Sequence, residues 1–319
     1  MRPLVSIVFT SYNHKEYLRQ ALESLLNQSY DRFELIIIDD CSTDGSQEVL
    51  KEYANDPRVN LILNEVNSGS YVRSSNYGAS FAIGDYILFA QCDDFAEPNQ
   101  LEVLVSRAIE NTTVGVVFSK SNLVDENGVA FSDDLVGREL TFKRHIKRTS
   151  TIEGSQMRDF LAFSCVIPNL SAALIKRDLY VKVGGLSDEF IVVADWDFWL
   201  KLSENTNFYY LVEALNNFRQ HDTTIRSSVK IKTQIVEIFS MFYNHINTFK
   251  IEGKEKRKLQ AGAGAIWFSY AFGNRKMWLK IFLETSQEIK KMESLWMYFL
   301  VVGVVKQFKE YFSRKLGIA

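Results

Sequence analysis

The chain has 319 residues, 46% of them hydrophobic and 24% charged, with only 4 prolines and 16 glycines. That composition supports a sizeable packed core and excludes collagen-like, low-complexity and long linker architectures. Cys41, Cys92 and Cys165 are too few and too scattered for a disulfide framework or a cysteine-based zinc site. With an N-terminus that runs directly into a core-like strand, they indicate a cytoplasmic protein. At about 150 residues per domain, the length allows two domains, or one large α/β domain with an appendage. The net charge of −2 conceals an asymmetry. Residues 225–319 carry 17 Lys and Arg against 7 Asp and Glu, whereas residues 1–224 carry 20 against 32. The acidic body argues against nucleic-acid binding, and the basic tail is where an anionic surface would be met.

Residues 4–10 form an apolar, β-branched run too short for a helix, which predicts a buried parallel strand. Leu18, Leu22, Leu25 and Leu26 then recur at helical spacing over 15–27. A second buried strand at 33–38 ends in Asp39-Asp40, and a helix over 46–54 follows the turn residues 42–46. A strand at 59–63, a helix over 71–82 and a strand at 86–89 lead to Cys92-Asp93-Asp94. This β-α alternation predicts a mostly parallel, Rossmann-like sheet flanked by helices. A helix over 98–110 and a strand at 114–119 continue it, and the polar stretch 125–160 reads as loops. Further expectations are a strand at 170–175, helices over 177–182 and 194–203, and a strand near 207–218. From 228 to 312 the pattern is helical throughout, which puts a boundary near 225.

In such sheets ligands bind beyond the carboxyl ends of the strands, where Thr10–Asn13, Asp39-Asp40 and Asp93-Asp94 would converge. Adjacent carboxylates repel unless a cation, a base or hydrogen-bond donors separate them. A hard divalent ion bridging to a diphosphate would serve; strand-terminal aspartates that cap the next helix are the alternative.

Residues 5–13 (VSIVFTSYN), Leu25–Tyr30 and Phe33–Ser46 (FELIIIDDCSTDGS) resemble the opening of family 2 glycosyltransferases. Asn67-Ser68-Gly69, Gly84–Ile87, Cys92-Asp93-Asp94, Val183–Leu186 and Ala194–Leu200 continue the likeness, which spans residues 4–222. The resemblance implies the GT-A fold, a nucleotide-sugar-binding α/β domain over 1–225, and a C-terminal helical region over 226–319. It implies that Thr10, Tyr12 and Asn13 contact the base and ribose of the donor, and that Asp40 accepts from a uracil ring. The family's D-x-D-D signature falls on Gln91–Asp94, with Gln91 replacing its first carboxylate. Asp93 would then hold ribose or donor sugar, and Asp94 the Mn²⁺ or Mg²⁺ ion. The catalytic base of inverting members falls on Asp195, with Ala194 in place of the usual Glu. One carboxylate near the acceptor hydroxyl suffices to take its proton as the oxygen attacks the anomeric carbon. Locally, Asp195 is equally legible as a helix cap, with Asp197 as support for the helix dipole or the acceptor. His221 is either a metal ligand, as the fold family often places there, or a satisfied surface histidine. Arg219 and Arg226 either pair with the diphosphate or solvate the boundary. Trp196 is expected near the site and Trp199 in the core, with Tyr209 a further candidate platform for a sugar.

The implied activity is metal-dependent, inverting transfer of a sugar from a nucleotide diphosphate, a UDP-sugar favoured, to a saccharide or lipid-linked saccharide in surface polysaccharide biosynthesis. The alternative is a non-catalytic nucleotide-sugar-binding protein, since Gln91 and Ala194 remove two acidic positions. Residues 289–315 place aromatic and aliphatic side chains at helical spacing among lysines, but their uncharged run, 294–305, is short of the ~20 residues of a membrane span. An interfacial helix on an anionic membrane, at its inner face, fits this pattern; packing on neighbouring helices or in a homo-oligomer is the alternative.

Overall fold

The structure, a computed structural model, describes residues 2–134, 138, 140–221, 229–273, 278–292, 297–298, 301–305 and 308. The strands are β1 (Val5–Ser11), β2 (Phe33–Asp39), β3 (Val59–Leu63), β4 (Tyr86–Gln91), β5 (Phe95–Ala96), β6 (Val114–Val124), β7 (Ala130–Asp133), β8 (Ser150–Ile152), β9 (Ala173–Lys176) and β10 (Asn207–Arg219). The helices of the body are α1 (Lys15–Leu26), α2 (Ser46–Tyr53), α3 (Tyr71–Ala79), α4 (Gln100–Glu110), α5 (Leu140–His145), α6 (Gly154–Leu161), α7 (Arg177–Lys182) and α8 (Ala194–Ser203). The C-terminal helices are α9 (Ile231–Thr248), α10 (Gly253–Gly273) and α11 (Trp278–Met292).

One sheet runs in the order β3-β2-β1-β4-β9-β6-β10-β5. β1 pairs in parallel with β2 and β4, β2 with β3, and β6 with β10. β9 is antiparallel to both β4 and β6, so β6 and β10 point the same way as β1 to β4. The carboxyl ends of six strands therefore share one edge. The apolar runs follow from burial on both faces. Ile7 and Phe9 join one core with Leu18, Leu22 and Leu104, while Val8 joins the other with Val72, Phe198 and Trp199.

That second core does not end with the body. Ile235, Ile238, Met241 and Phe242 of α9, Leu259 and Trp267 of α10, and Ile281 and Ile289 of α11 belong to the same cluster as Phe198 and Trp199. Gly262 lets α10 approach closely: a Cβ there would lie 1.7 Å from the carbonyl oxygen of Ala162. Residues 125–160, expected as loops, contain β7, α5, β8 and α6. These elements are three to eight residues long, too short for a periodicity to register.

Candidate active site

A cleft of about 410 Å³ opens at the shared carboxyl edge of the strands. Thr10 and Tyr12 reach it from the end of β1, Asp40 from the end of β2 and Asp93 from the end of β4. His14 and His221 complete its acidic side. The position of His221 depends on a very short element. β5 pairs antiparallel with β10, Phe95 opposite Asn217 and Ala96 opposite Asn216. That pairing folds the chain after Asp94 back beside Arg219–His221, although β4 and β10 are not neighbours in the sheet.

Asp93 and Asp94 then diverge. His221 Nε2 lies 3.0 Å from Asp93 Oδ2, and this hydrogen bond holds the imidazole above its ordinary pKa against the lowering effect of burial. His14 Nδ1 lies 2.8 Å from the carbonyl oxygen of Tyr12, so Nδ1–H donates there and Nε2 is left as a ligand atom. One atom from each of His14, Asp93 and His221 falls within 4.8 Å of the others, a geometry able to hold a metal ion. His14 carries no local motif; only the meeting of the β1 and β10 ends identifies it. Asp94, expected as the metal ligand, is 4% exposed and does not line the cleft. It accepts from Asn169 Nδ2 (2.5 Å), Ser171 Oγ (2.8 Å) and the Arg219 amide (3.1 Å). Burial, with the neighbouring Asp93 charge, pushes its carboxyl well above the usual range. Of the two carboxylates, Asp93 is the one that lines the cleft and lies beside both histidines.

The Asp39-Asp40 pair needs no cation. Asp39 is fully buried and accepts from the Ser42 amide and hydroxyl and from Gln47 Nε2. Asp40 accepts from Asn64 Nδ2 (3.0 Å) and from the Ser68 amide (2.9 Å) and hydroxyl (2.8 Å). A carboxylate offers about four acceptor positions, so one remains for a ligand in the cleft. Asn13 does not line the cleft. It sits at φ 52°, accepts from the Thr43 amide through Oδ1, and ties the β1–α1 loop to the β2–α2 loop. At the carboxyl end of β4, Gln91 Oε1 accepts from Thr10 Oγ1 at 3.3 Å.

Asp195 lies in the first turn of α8, half-buried, four residues beyond Ile191, which does line the cleft. Its Oδ1 accepts from the Trp196 amide. Both tryptophans belong to the core: Trp196 is 8% exposed and donates from Nε1 to the Leu161 carbonyl, and Trp199 is fully buried. Asp197 is buried against Lys201 Nζ at 2.7 Å rather than available to an acceptor. Arg219, 1% exposed, is committed to the Asp93, Asp125 and Glu126 carbonyls and to Gln20, and lies over the Tyr17 ring. It is a structural cation, not a diphosphate ligand. Arg226 lies outside the described residues.

The sequence profile described as glycosyl transferase family 2 matches residues 6–181. The chain belongs to glycosyltransferase family 2. A family relative, an uncharacterized glycosyltransferase of Haemophilus influenzae, is 31% identical over 234 residues, 72% of each chain. The putative teichuronic acid biosynthesis glycosyltransferase TuaG of Bacillus subtilis is 33% identical over 150 residues, 46% of this chain and 59% of its own. Among solved structures, S. aureus TarS 1–349 in complex with UDP-GlcNAc superposes with a TM-score of 0.67 at 17% identity, covering 98% of this chain and 92% of that one. The mannosyltransferase PcManGT from Pyrobaculum calidifontis, in complex with GDP-Man and Mn²⁺, gives 0.56 at 15% identity over 97% and 88%. The family's fold is thus the GT-A fold, as the sequence motifs implied. A second profile, of a family of unknown function, DUF481, matches residues 172–259.

Proposed function

We propose that this family 2 glycosyltransferase moves one sugar from a UDP-sugar to a saccharide or lipid-linked saccharide in surface polysaccharide synthesis, with inversion at the anomeric carbon. The observation that carries the reading is the convergence of Thr10, Tyr12, Asp40, Asp93 and His221 on one cleft in a chain of this family. The UDP-GlcNAc complex of TarS and the described role of TuaG support the donor class and the polymer context.

In this mechanism Thr10, Tyr12 and the open acceptor position of Asp40 hold the nucleoside. Asn13 acts at one remove, by fixing the loop that presents Tyr12. Two imidazoles and one carboxylate suit Mn²⁺ better than Mg²⁺, which prefers an all-oxygen shell. We assign the ion to Asp93, His221 and His14; when bound it would neutralise charge on the departing diphosphate. Asp195 takes the proton of the acceptor hydroxyl as that oxygen bonds to the anomeric carbon and the sugar–diphosphate bond breaks. Residues 1–225 supply this chemistry. The basic helical region over 226–319 brings the enzyme to an anionic membrane at the cytoplasmic face.

A thermal-shift screen of UDP-, GDP- and dTDP-sugars with and without Mn²⁺ identifies the donor, because ligand binding to the native state raises the melting temperature. With that donor, Asp195→Asn keeps binding and loses transfer by about 10²–10⁴-fold. Transfer at the wild-type rate by Asp195→Asn removes the residue from the mechanism.

A further inference from the structure

Helix α8 begins without a cap of its own, since Val193 occupies the N-cap position and offers no side-chain acceptor. The acceptor comes from the helical region instead. The carboxylate of Glu237, on α9 and 8% exposed, accepts from the backbone amides of Ile191 (3.1 Å), Val192 (2.8 Å) and Val193 (3.4 Å). Three successive N–H groups converging on one carboxylate make a fixed anion cradle at a helix start. The cradled segment carries the cleft residue Ile191 at one end and runs into Ala194-Asp195 at the other.

The same helix also holds the far end of α8. His245, 2% exposed, lies with Nε2 3.1 Å from Oε1 of Glu204, the C-cap residue of α8. Glu237, Met241 and His245 recur every four residues and so share one face of α9. The eight-residue interval from Glu237 to His245 spans about 12 Å, close to the ~15 Å of the ten-residue α8. Between the two polar contacts, Phe242 meets Trp196 edge to face at 5.7 Å. α9 therefore holds α8 at both ends, with Phe242 packed on its first turn.

We infer that Glu237 is a positioning residue for transfer: its carboxylate on the 191–193 amides sets where the first turn of α8, and with it Asp195, stands relative to the cleft. The inference rests on the reading of Asp195 as the base. It makes α9 part of the scaffold that positions the base.

The test compares full-length Glu237→Ala and Glu237→Gln with Asp195→Asn. Hydrogen exchange of residues 190–199 is measured without substrate. UDP release is measured with whichever of UDP-GlcNAc, UDP-glucose and UDP-glucuronate the wild type turns over fastest. Glu237→Ala is expected to speed exchange at the 191–193 amides by about tenfold or more while the β1 and β4 amides keep their protection. Its kcat should fall roughly 10- to 100-fold, as for a base displaced by about 1 Å, with KM and UDP affinity within about twofold of wild type. Glu237→Gln, whose amide oxygen still accepts, should fall between, and it carries the test if the alanine variant does not fold. Unchanged exchange at 191–193 overturns the inference, whatever the donor. So does unchanged kcat in Glu237→Ala, or a loss of kcat matched by loss of UDP affinity and of β1 protection. Activity retained by Asp195→Asn instead overturns the assignment of the base and leaves the exchange result to judge the cradle alone.

Discussion

Two adjacent aspartates at the end of β4 differ less in chemistry than in partners. Asp94 has three donors and almost no solvent, whereas Asp93 has a histidine and a cleft. Asp93→Ala should abolish the Mn²⁺-dependent part of the UDP thermal shift. Asp94→Ala should keep it but melt earlier, because Asn169, Ser171 and the Arg219 amide lose their acceptor at a cost of about 1–3 kcal/mol. An Asp94→Ala protein that melts like wild type and ignores Mn²⁺ would return the ion to Asp94. The aspartate doublet itself was plain in the sequence. Which member faces the cleft was not, because side-chain alternation predicts direction only while a strand lasts, and β4 ends at Gln91. His14 was invisible for a related reason: its partners lie 79 and 207 residues away and meet it only through the sheet.

The long elements were legible because their patterns are strong. β1, β2 and β4 are nearly continuous apolar runs, and α1 and α4 carry clear apolar stripes. The two-residue strand β5 has no pattern at all, yet it is what brings Asp93 to His221. The junction of α6, α8 and α9 was equally hidden, since it is made of single polar residues from separate helices. There, Arg158 donates to both oxygens of Glu204, with His245 beside them. Burial alone would raise the Glu204 carboxyl, but the hydrogen bonds and charges of His245 and Arg158 outweigh it and hold it below the usual value. A depressed folded-state pKa stabilises the protein above the unfolded value of about 4.3 and stops doing so as pH falls through the folded one. Glu204→Gln should therefore melt below wild type at pH 7, and the gap should close in acid below about pH 4. A gap independent of pH would show that the residue contributes by packing rather than by its charge.

At the scale of the whole molecule, the helical region has an inner and an outer side. Among the described residues no helix is long and apolar enough to cross a membrane. The inner side is core: Ile289 is fully buried, and a Cβ on Gly303 would lie 2.4 Å from the Ala265 amide of α10. The outer side exposes Met297, Tyr298, Val301, Val305 and Phe308, each about half accessible, on a segment rich in lysine. Leu295, Trp296, Phe299 and the residues from 309 onward lie outside the described residues. Packing on neighbouring helices and presenting an apolar face are thus not rivals here, because different residues do each. Cutting the chain near 288 would breach the core at Ile289, so substitution on the outer face is the cleaner probe. The full chain should co-sediment with phosphatidylglycerol-containing vesicles, bind phosphatidylcholine vesicles weakly, and release as salt screens its lysines. The double variant Val301→Glu, Val305→Glu should lose that binding and melt like wild type, since both side chains already meet water. A wild type that ignores anionic vesicles, together with a double variant that turns a dimer into a monomer, would mean that the outer face meets a second copy of the chain. In that case the basic charge of the tail would serve something other than a headgroup surface.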